Sequence, residues 1–186
     1  AAWQIARAGV PVVLHEMRPE KRSAAHRTDA LGELVCSNSL KSEQEHSAPW
    51  LLKREMRKLG SLLLRAADRA RVPGGHALTV DREIFSREIT EAIEAHPLIE
   101  IRRKEVTRLP EGIVIIASGP LTSEPLAEEI GRLTGAERLY FYDSISPIVA
   151  ADSVDMSIAF RASRYGKSLD GTADYMPEST DAMHNR

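Results

Sequence analysis

The sequence contains one cysteine and no long apolar run. A single cysteine, Cys36, excludes an internal disulfide framework and any zinc site built from a cysteine cluster. The longest uninterrupted apolar stretch, Ile113 to Ala117, is far shorter than the roughly 20 residues that span a bilayer. The first residues also lack the basic start and small-residue cleavage site of a secretory signal. Together these absences predict a cytosolic protein.

The chain also lacks an excess of either charge. Its 25 basic and 27 acidic residues give a net charge of −2, which by itself does not indicate nucleic-acid binding. The charge is uneven, however, because residues 53–71 contain seven basic and two acidic side chains. Such a run is usually the solvated face of a helix. The alternative is a surface that contacts phosphates, with Arg57 and Lys58 as the candidates.

The first sixteen residues have the order helix, glycine, strand, acid. Residues 1–8 have a helical pattern, Gly9 ends it, and residues 10–16 form an apolar run that closes on Glu16. This is the back half of a βαβ dinucleotide-binding unit, in which the closing acid accepts hydrogen bonds from the adenosine ribose. The glycine-rich turn of such a unit would precede Ala1, so we expect that the N-terminal part is missing. A surface glutamate is the alternative for Glu16.

Further along, predicted helices and strands alternate. This alternation is typical of a doubly wound α/β domain with a parallel sheet. The predicted elements are a helix over 49–71 with its leucines on one stripe, a strand over 77–80, a helix capped by Asp81, a strand over 98–106, a buried central strand over 113–117, a helix over 124–134 capped by Ser123, and short strands over 140–143 and 147–150.

Two short segments contain candidate chemistry. Cys36 is followed by Ser37 and Asn38, whose polar groups could stabilise a thiolate, but it is flanked by apolar residues that suit an inert core cysteine. The residues alone leave that choice open. Gly119 follows a predicted strand, where a glycine lets the backbone approach a nucleotide, and a loop without a ligand is the alternative. The six histidines show no metal-ligand spacing, so we predict no metal site.

Six strings in the chain resemble one enzyme family. These are HEMRP (15–19), AHRTDALGELVCSNSLKSE (25–43), LLKREMRKLGSL (51–62), ADRARVPGGHALTVDREIFS (67–86), ASGPLTSEPLA (117–127) and YDSISPIVAADSVDMSIAFRASRYGK (142–167). All resemble the folate- and FAD-dependent tRNA (uracil-5-)-methyltransferases, called TrmFO and formerly Gid. The resemblance extends from residue 1 to residue 167, and the Cys-Ser-Asn-Ser and Phe-Arg-Ala-Ser-Arg-Tyr-Gly runs are its most specific parts.

The resemblance implies a bacterial enzyme that forms 5-methyluridine in the T-loop of tRNA. In that family, reduced FAD transfers a one-carbon unit from methylenetetrahydrofolate to C5 of uracil, and NADPH or NADH supplies the electrons. A cysteine thiolate adds to C6 of the base, because uracil C5 is a poor nucleophile until that adduct breaks the conjugation of the ring. Cys36 matches one of the family's two functional cysteines. Glu16 matches the family's ribose-binding acid and Gly119 its second nucleotide-contacting turn, and Arg18, Ser37 and Asn38 are the further candidates for cofactor binding. The candidates for tRNA contact, Arg57 and Lys58, follow from the local excess of positive charge and not from the resemblance.

The sequence departs from the family pattern in two places. No Gly-x-Gly-x-x-Gly turn precedes residue 1, and no second cysteine follows Lys167. We therefore expect a chain truncated at both ends that holds FAD weakly and is inactive alone. A non-catalytic remnant of the flavoprotein is one alternative, and a fragment of the related wobble-uridine-modifying flavoprotein is another. The predicted domains are a partial glutathione-reductase-like FAD-binding domain over 1–120, the start of an inserted domain over 121–167, and a loose tail over 168–186.

Overall fold

A computed structural model describes residues 1–135, 154–155 and 157–158. Of these, residues 1–29 and 91–135 belong to a first compact unit and residues 30–90 to a second. The elements in chain order are α1 (Ala2–Arg7), β1 (Val12–Glu16), β2 (Ser39–Ser42), α2 (Ala48–Lys58), α3 (Leu62–Arg69), β3 (Arg71–Val72), β4 (Ala77–Val80), α4 (Arg82–Glu94), β5 (Ile99–Arg103), a 3-10 turn (Gly119–Leu121) and α5 (Glu124–Thr134).

The first unit is built on a two-stranded parallel sheet. β1 pairs with β5 in a register that sets Val12 opposite Ile99 and Glu16 opposite Arg103. α1 ends before Gly9, whose φ of 84° lies in the left-handed region that favours glycine. The predicted order of helix, glycine, strand and acid is therefore confirmed, and Glu16 lies at the carboxyl end of a parallel strand.

The second unit contains an antiparallel sheet of order β2-β4-β3. Leu78 and Val80 of the central strand β4 are fully buried. α3 contributes Leu64, Ala66 and Ala67 to the same core, where the alanines allow a close approach of the helix. α4 starts as predicted, because Asp81 Oδ1 accepts a hydrogen bond from Ile84 N at 2.9 Å and so satisfies a free amide of the first turn.

An irregularity interrupts the pairing of β2 with β4. Ser39 pairs with Thr79 and Ser42 pairs with Ala77, so β2 places two residues where β4 has one. The extra residue makes a bulge, and Lys41 within it has a φ of 65°. The sequence pattern did not predict this strand, because residues 17–47 are polar and contain no alternating apolar run.

The prediction of a buried central strand over 113–117 is wrong. These residues form no strand, and Ile113, Val114, Ile115 and Ile116 are all exposed. β-branched runs favour the extended conformation, but a strand exists only where a neighbour completes its hydrogen bonds. Within residues 1–135, no strand pairs with this run.

The single helix predicted over 49–71 is also wrong. Gly60, with a φ of 70°, separates α2 from α3, and Ser61 caps α3 by accepting from Leu64 N at 3.4 Å. The apolar stripe does not bury α2 as expected. Leu52 is 57% exposed and Leu59 is 73% exposed, whereas Lys53 is only 5% exposed.

The remaining predictions divide into confirmed and untested. The predicted strand over 98–106 corresponds to β5, and α5 has the predicted bounds. A mixed α/β fold with a parallel sheet is confirmed. The predicted strands over 140–143 and 147–150 and the predicted loose tail over 168–186 lie outside the described residues. None of the helices described here is long and apolar enough to cross a membrane.

Candidate functional site

Glu16 is held at the end of β1 by a buried arginine. Arg18 is 4% exposed and donates to both carboxylate oxygens of Glu16: Nε lies 2.9 Å from Oε1 and Nη2 lies 3.0 Å from Oε2. The backbone N–H of Arg18 donates to Oε1 at 3.0 Å, and its Nη1 donates to the carbonyl of Thr28 at 3.2 Å. The bidentate pair fixes the direction of the carboxylate.

The same contacts determine the charge state of Glu16. Burial opposes ionisation of Glu16, but hydrogen bonds and the positive charge of Arg18 outweigh it, so the pKa of Glu16 lies below its ordinary value. Glu16 is therefore an ionised acceptor at neutral pH. A carboxylate has about four lone-pair positions, and Arg18 donates three hydrogen bonds to Glu16, so about one position is left for a hydroxyl donor of a ligand. Arg18 is placed to orient Glu16.

Cys36 lies in the second unit at the start of a segment that leads into β2. Cys36 is partly buried. The hydroxyl of the next residue, Ser37, accepts a hydrogen bond from Ser39 N at 3.0 Å and closes a tight turn. The turn directs the chain from Cys36 into the sheet.

Asn38 anchors this segment to the central strand. Its Nδ2 donates to the carbonyl of Val80 at 3.1 Å, and the N–H of Val80 donates to the carbonyl of Asn38 at 3.0 Å. Asn38 is 5% exposed, and its Oδ1 has no hydrogen-bond partner among the described residues. A buried acceptor without a partner is costly, so this oxygen suits a donor group from a ligand.

Gly119 opens the 3-10 turn in the first unit and has a φ of 62°. A Cβ built on this glycine would meet no atom within 4 Å, so the backbone there is open to an approaching group. The turn is closed by Thr122, whose hydroxyl donates to the carbonyl of Gly119 at 2.6 Å. The structure gives a turn where we expected a strand end.

The two predicted tRNA contacts differ in what surrounds them. Arg57 is held by two carboxylates: its Nη2 lies 2.6 Å from Glu43 Oε1 and 2.7 Å from Asp68 Oδ1. Arg71 also binds Glu43 and approaches Asp68, which closes a ring of four charges. The hydrogen bonds that Arg57 donates to Asp68 raise the pKa of Arg57, and the hydrogen bond to Glu43 adds to the effect. Lys58, by contrast, is exposed at the end of α2.

Lys53 is a residue that the sequence analysis assigned to a solvated helix face. Its Nζ donates to the carbonyls of Leu40 at 2.9 Å, Lys41 at 3.2 Å and Ser42 at 2.7 Å. A lysine in a basic amphipathic run carries no sequence signal of burial, so no pattern could have identified it. The residues described also contain no cluster of three or more His, Cys, Asp or Glu side chains that could hold a metal ion.

The sequence of this chain matches a known protein family. The family model described as "Glucose inhibited division protein A" matches residues 1–185, so the chain belongs to that family. The resemblance inferred from the motifs is thereby confirmed.

Individual relatives carry a more specific name. The chain is 69% identical over 177 residues to "Methylenetetrahydrofolate--tRNA-(uracil-5-)-methyltransferase TrmFO" of Solibacter usitatus, covering 95% of this chain and 40% of the relative. Proteins of the same name from Geobacter sulfurreducens and a Synechococcus strain are 60% and 56% identical, with 40% and 41% of their lengths covered. The chain thus spans about 40% of the length of the curated relatives it matches.

Proposed function

We propose that this chain is part of a folate- and FAD-dependent methyltransferase that forms 5-methyluridine in the T-loop of tRNA. The observation that carries the proposal is 69% identity over 177 residues to a relative named as a methylenetetrahydrofolate--tRNA-(uracil-5-)-methyltransferase. The doubly wound arrangement and the domain division at residue 120 belong to the same proposal. Cytoplasmic location follows from a tRNA substrate.

Glu16 and its arginine suit a bound adenosine ribose. The carboxylate is ionised, oriented by Arg18 and located at the carboxyl end of a parallel strand, where open α/β sheets bind nucleotides. Gly119 adds an open backbone turn in the same unit. When bound, FAD would supply the redox chemistry that moves the one-carbon unit, with methylenetetrahydrofolate as donor and NADPH or NADH as reductant.

The segment from Cys36 to Asn38 supplies the polar chemistry of the second unit. Cys36 serves as one of two functional thiols: a thiolate that adds to C6 of uracil makes C5 nucleophilic and leaves when the proton on C5 is removed. Ser37 and the open acceptor of Asn38 lie beside it in sequence. The unpaired Oδ1 of Asn38 suits an N–H or hydroxyl donor of the cofactor or the base.

Two other functions are the alternatives to this proposal. A non-catalytic remnant would retain the fold without turnover, and a fragment of the wobble-uridine-modifying flavoprotein would modify another position of tRNA. The relatives are named as tRNA-(uracil-5-)-methyltransferases, which favours the methyltransferase over the second alternative.

A segment exchange tests the function with this chain's own residues. The matching 177 residues of the Solibacter relative would be replaced by those of this chain, and 5-methyluridine in tRNA would be measured by mass spectrometry. The proposal predicts methylation at the T-loop uridine within about tenfold of the parent rate, which corresponds to about 1.4 kcal/mol in the barrier. A folded chimera with bound flavin and no 5-methyluridine would support the remnant instead.

The tRNA contact is tested separately in the same chimera. Because Glu43 and Asp68 already hold Arg57, we expect Lys58→Glu to account for most of the loss of tRNA binding and to lower the salt dependence. Arg57→Glu should act mainly by breaking the charge ring. Lys104→Glu, an exposed lysine of the first unit, is the control. Unchanged binding and salt slope in Lys58→Glu would leave this surface as a solvated helix face.

A further inference from the structure

The ammonium group of Lys53 lies at the centre of a set of backbone carbonyls. Lys53 is 5% exposed, and burying a charge is costly unless it is fully hydrogen-bonded. Its Nζ contacts three successive carbonyl oxygens, those of Leu40, Lys41 and Ser42, at 2.7–3.2 Å. An ammonium group has three hydrogens, so these contacts use its full donor capacity.

The bulge explains why three successive carbonyls face one point. In a regular strand, successive carbonyls point in opposite directions and the sheet ladder uses them. Here the extra residue between Ser39 and Ser42 interrupts the ladder, and Lys41 within the bulge has a φ of 65°. A left-handed φ at a lysine is unfavourable, so something must hold it. Lys53 is the group that satisfies the carbonyls the bulge removes from the ladder.

We propose that Lys53 is a positioning residue, whose ammonium group holds the bulge and thereby fixes the register of the segment from Cys36 to Ser42. Loss of the bulge would let the strand slip by one residue, which moves every side chain to the other face of the sheet. The slip would carry Asn38 away from Val80 and change where Cys36 points. The effect of the orientation of Cys36 on methyl transfer rests on the proposed function. The stabilisation of the bulge by Lys53 does not rest on it.

The groups around Lys53 act on its charge in opposite directions, so the hydrogen bonds to the three carbonyls carry the proposal. Burial lowers the pKa of Lys53, and the nearby cations Arg57 and Arg71 lower it further, while Glu43 acts in the opposite direction. Glu43 is also tied through its backbone to the residue that precedes β4, since its N–H donates to the carbonyl of His76 at 2.6 Å. The segment is therefore fixed on both sides of the bulge.

Chemical rescue tests the hold on the bulge in the 186-residue chain. Lys53→Ala removes the side chain beyond Cβ, and n-propylammonium supplies the missing three carbons and the ammonium group. We expect amide exchange over residues 38–43 to rise about tenfold or more in Lys53→Ala, because hydrogen bonds to a charged group are stronger than those between neutral groups. The alkylation rate of Cys36 by iodoacetamide should change with it. Propylammonium should reverse both changes, and tetramethylammonium at equal ionic strength should not.

One control variant and one further readout keep the test decisive. Lys104→Met removes an exposed lysine and should leave exchange and alkylation as in the unaltered chain. If Lys53→Ala does not fold, its refolding yield becomes the readout, and propylammonium should restore it. Unchanged exchange in Lys53→Ala, or a loss that the amine does not restore, would overturn the proposal.

The link from Lys53 to catalysis is tested in the chimera. Lys53→Met should lower kcat for methyl transfer while leaving KM for tRNA unchanged. It disturbs the segment from Cys36 to Ser42 and not the proposed tRNA contact at Lys58. Exchange that responds to Lys53 with kcat unchanged would contradict the link alone. A chimera that is inactive even with Lys53 in place would instead count against the proposed function.

Discussion

The two units of this chain are stabilised in different ways. Among the described residues, the first unit has three buried apolar residues, Ala6, Ile93 and Ile99, and the second has ten. The second unit adds the charge ring around Arg57 and the carbonyl contacts of Lys53. The first unit has a two-stranded sheet and an exposed β-branched run over residues 113–116. Because apolar burial is the dominant favourable term in folding, the second unit should be the more stable one.

The comparison is most strongly tested by removing core volume. We expect Leu78→Ala to lower the free energy of unfolding of the second unit by about 3 kcal/mol, because Leu78 is fully buried and its loss leaves a cavity. Leu14→Ala in the partly buried strand β1 should cost about 1 kcal/mol.

One tryptophan in each unit makes the measurement specific. Trp3 lies on α1 and contacts His96 at 5.3 Å between ring centroids, whereas Trp50 lies on α2 under Arg54. Urea unfolding followed by fluorescence in Trp3→Phe and Trp50→Phe backgrounds therefore reports each unit in turn. Equal losses in both units would contradict the difference in core size.

An acid titration separates the ion pairs of the two units. The hydrogen bond from Arg57 lowers the pKa of Asp68, and the hydrogen bonds from Arg57 and Arg71 outweigh burial and lower the pKa of Glu43. A carboxyl whose folded pKa is lowered adds stability above its unfolded pKa of about 4, and this stability disappears as pH falls through the folded value.

Single substitutions show which unit loses that stability. We expect Glu43→Gln to reduce, by up to about 1 kcal/mol, the acid-induced loss of the free energy of unfolding that Trp50 fluorescence reports. Glu16→Gln should reduce the corresponding loss that Trp3 reports. Each variant should leave the other unit's titration unchanged. If Glu43→Gln left the pH dependence of the free energy of unfolding followed by Trp50 as steep as before, the charge ring would not contribute measurable stability.

The smallest effect is expected on the exposed side of α2. Leu59 is 73% exposed, so Leu59→Gln should change the free energy of unfolding by less than about 0.5 kcal/mol. Urea unfolding through Trp50 measures it. A loss of about 2 kcal/mol would restore the prediction that this leucine belongs to a buried stripe.

Local signals predicted the parts of the fold that depend on neighbouring residues. Gly9 and the apolar run before Glu16 placed α1 and β1, and Asp81 marked the start of α4. The placement of Glu16 at the end of a strand followed from that order, whereas its orientation by Arg18 was not predicted. Each of these features is decided within a few residues of chain, where turn and cap chemistry act.

Features that depend on distant partners were not predictable. The run over 113–117 has the composition of a core strand, but no described strand pairs with it. In the sequence Lys53 resembles any solvent-exposed lysine. Its burial depends on a bulge at Lys41, whose neighbouring carbonyls lie eleven to thirteen positions earlier in the chain. The sequence suggested Arg57 as a phosphate contact, but in the folded chain Glu43 and Asp68 bind its guanidinium group.

The most direct test of the account is Cys36→Ala in the segment-exchange chimera, measured as 5-methyluridine formed per tRNA with time. The account predicts that methyl transfer falls by at least about a thousandfold, because no other group of the segment supplies the thiol, while urea unfolding followed by Trp50 fluorescence is unchanged. Methyl transfer at the unaltered rate, with flavin bound and the fold intact, would contradict it and reduce Cys36 to a packing residue.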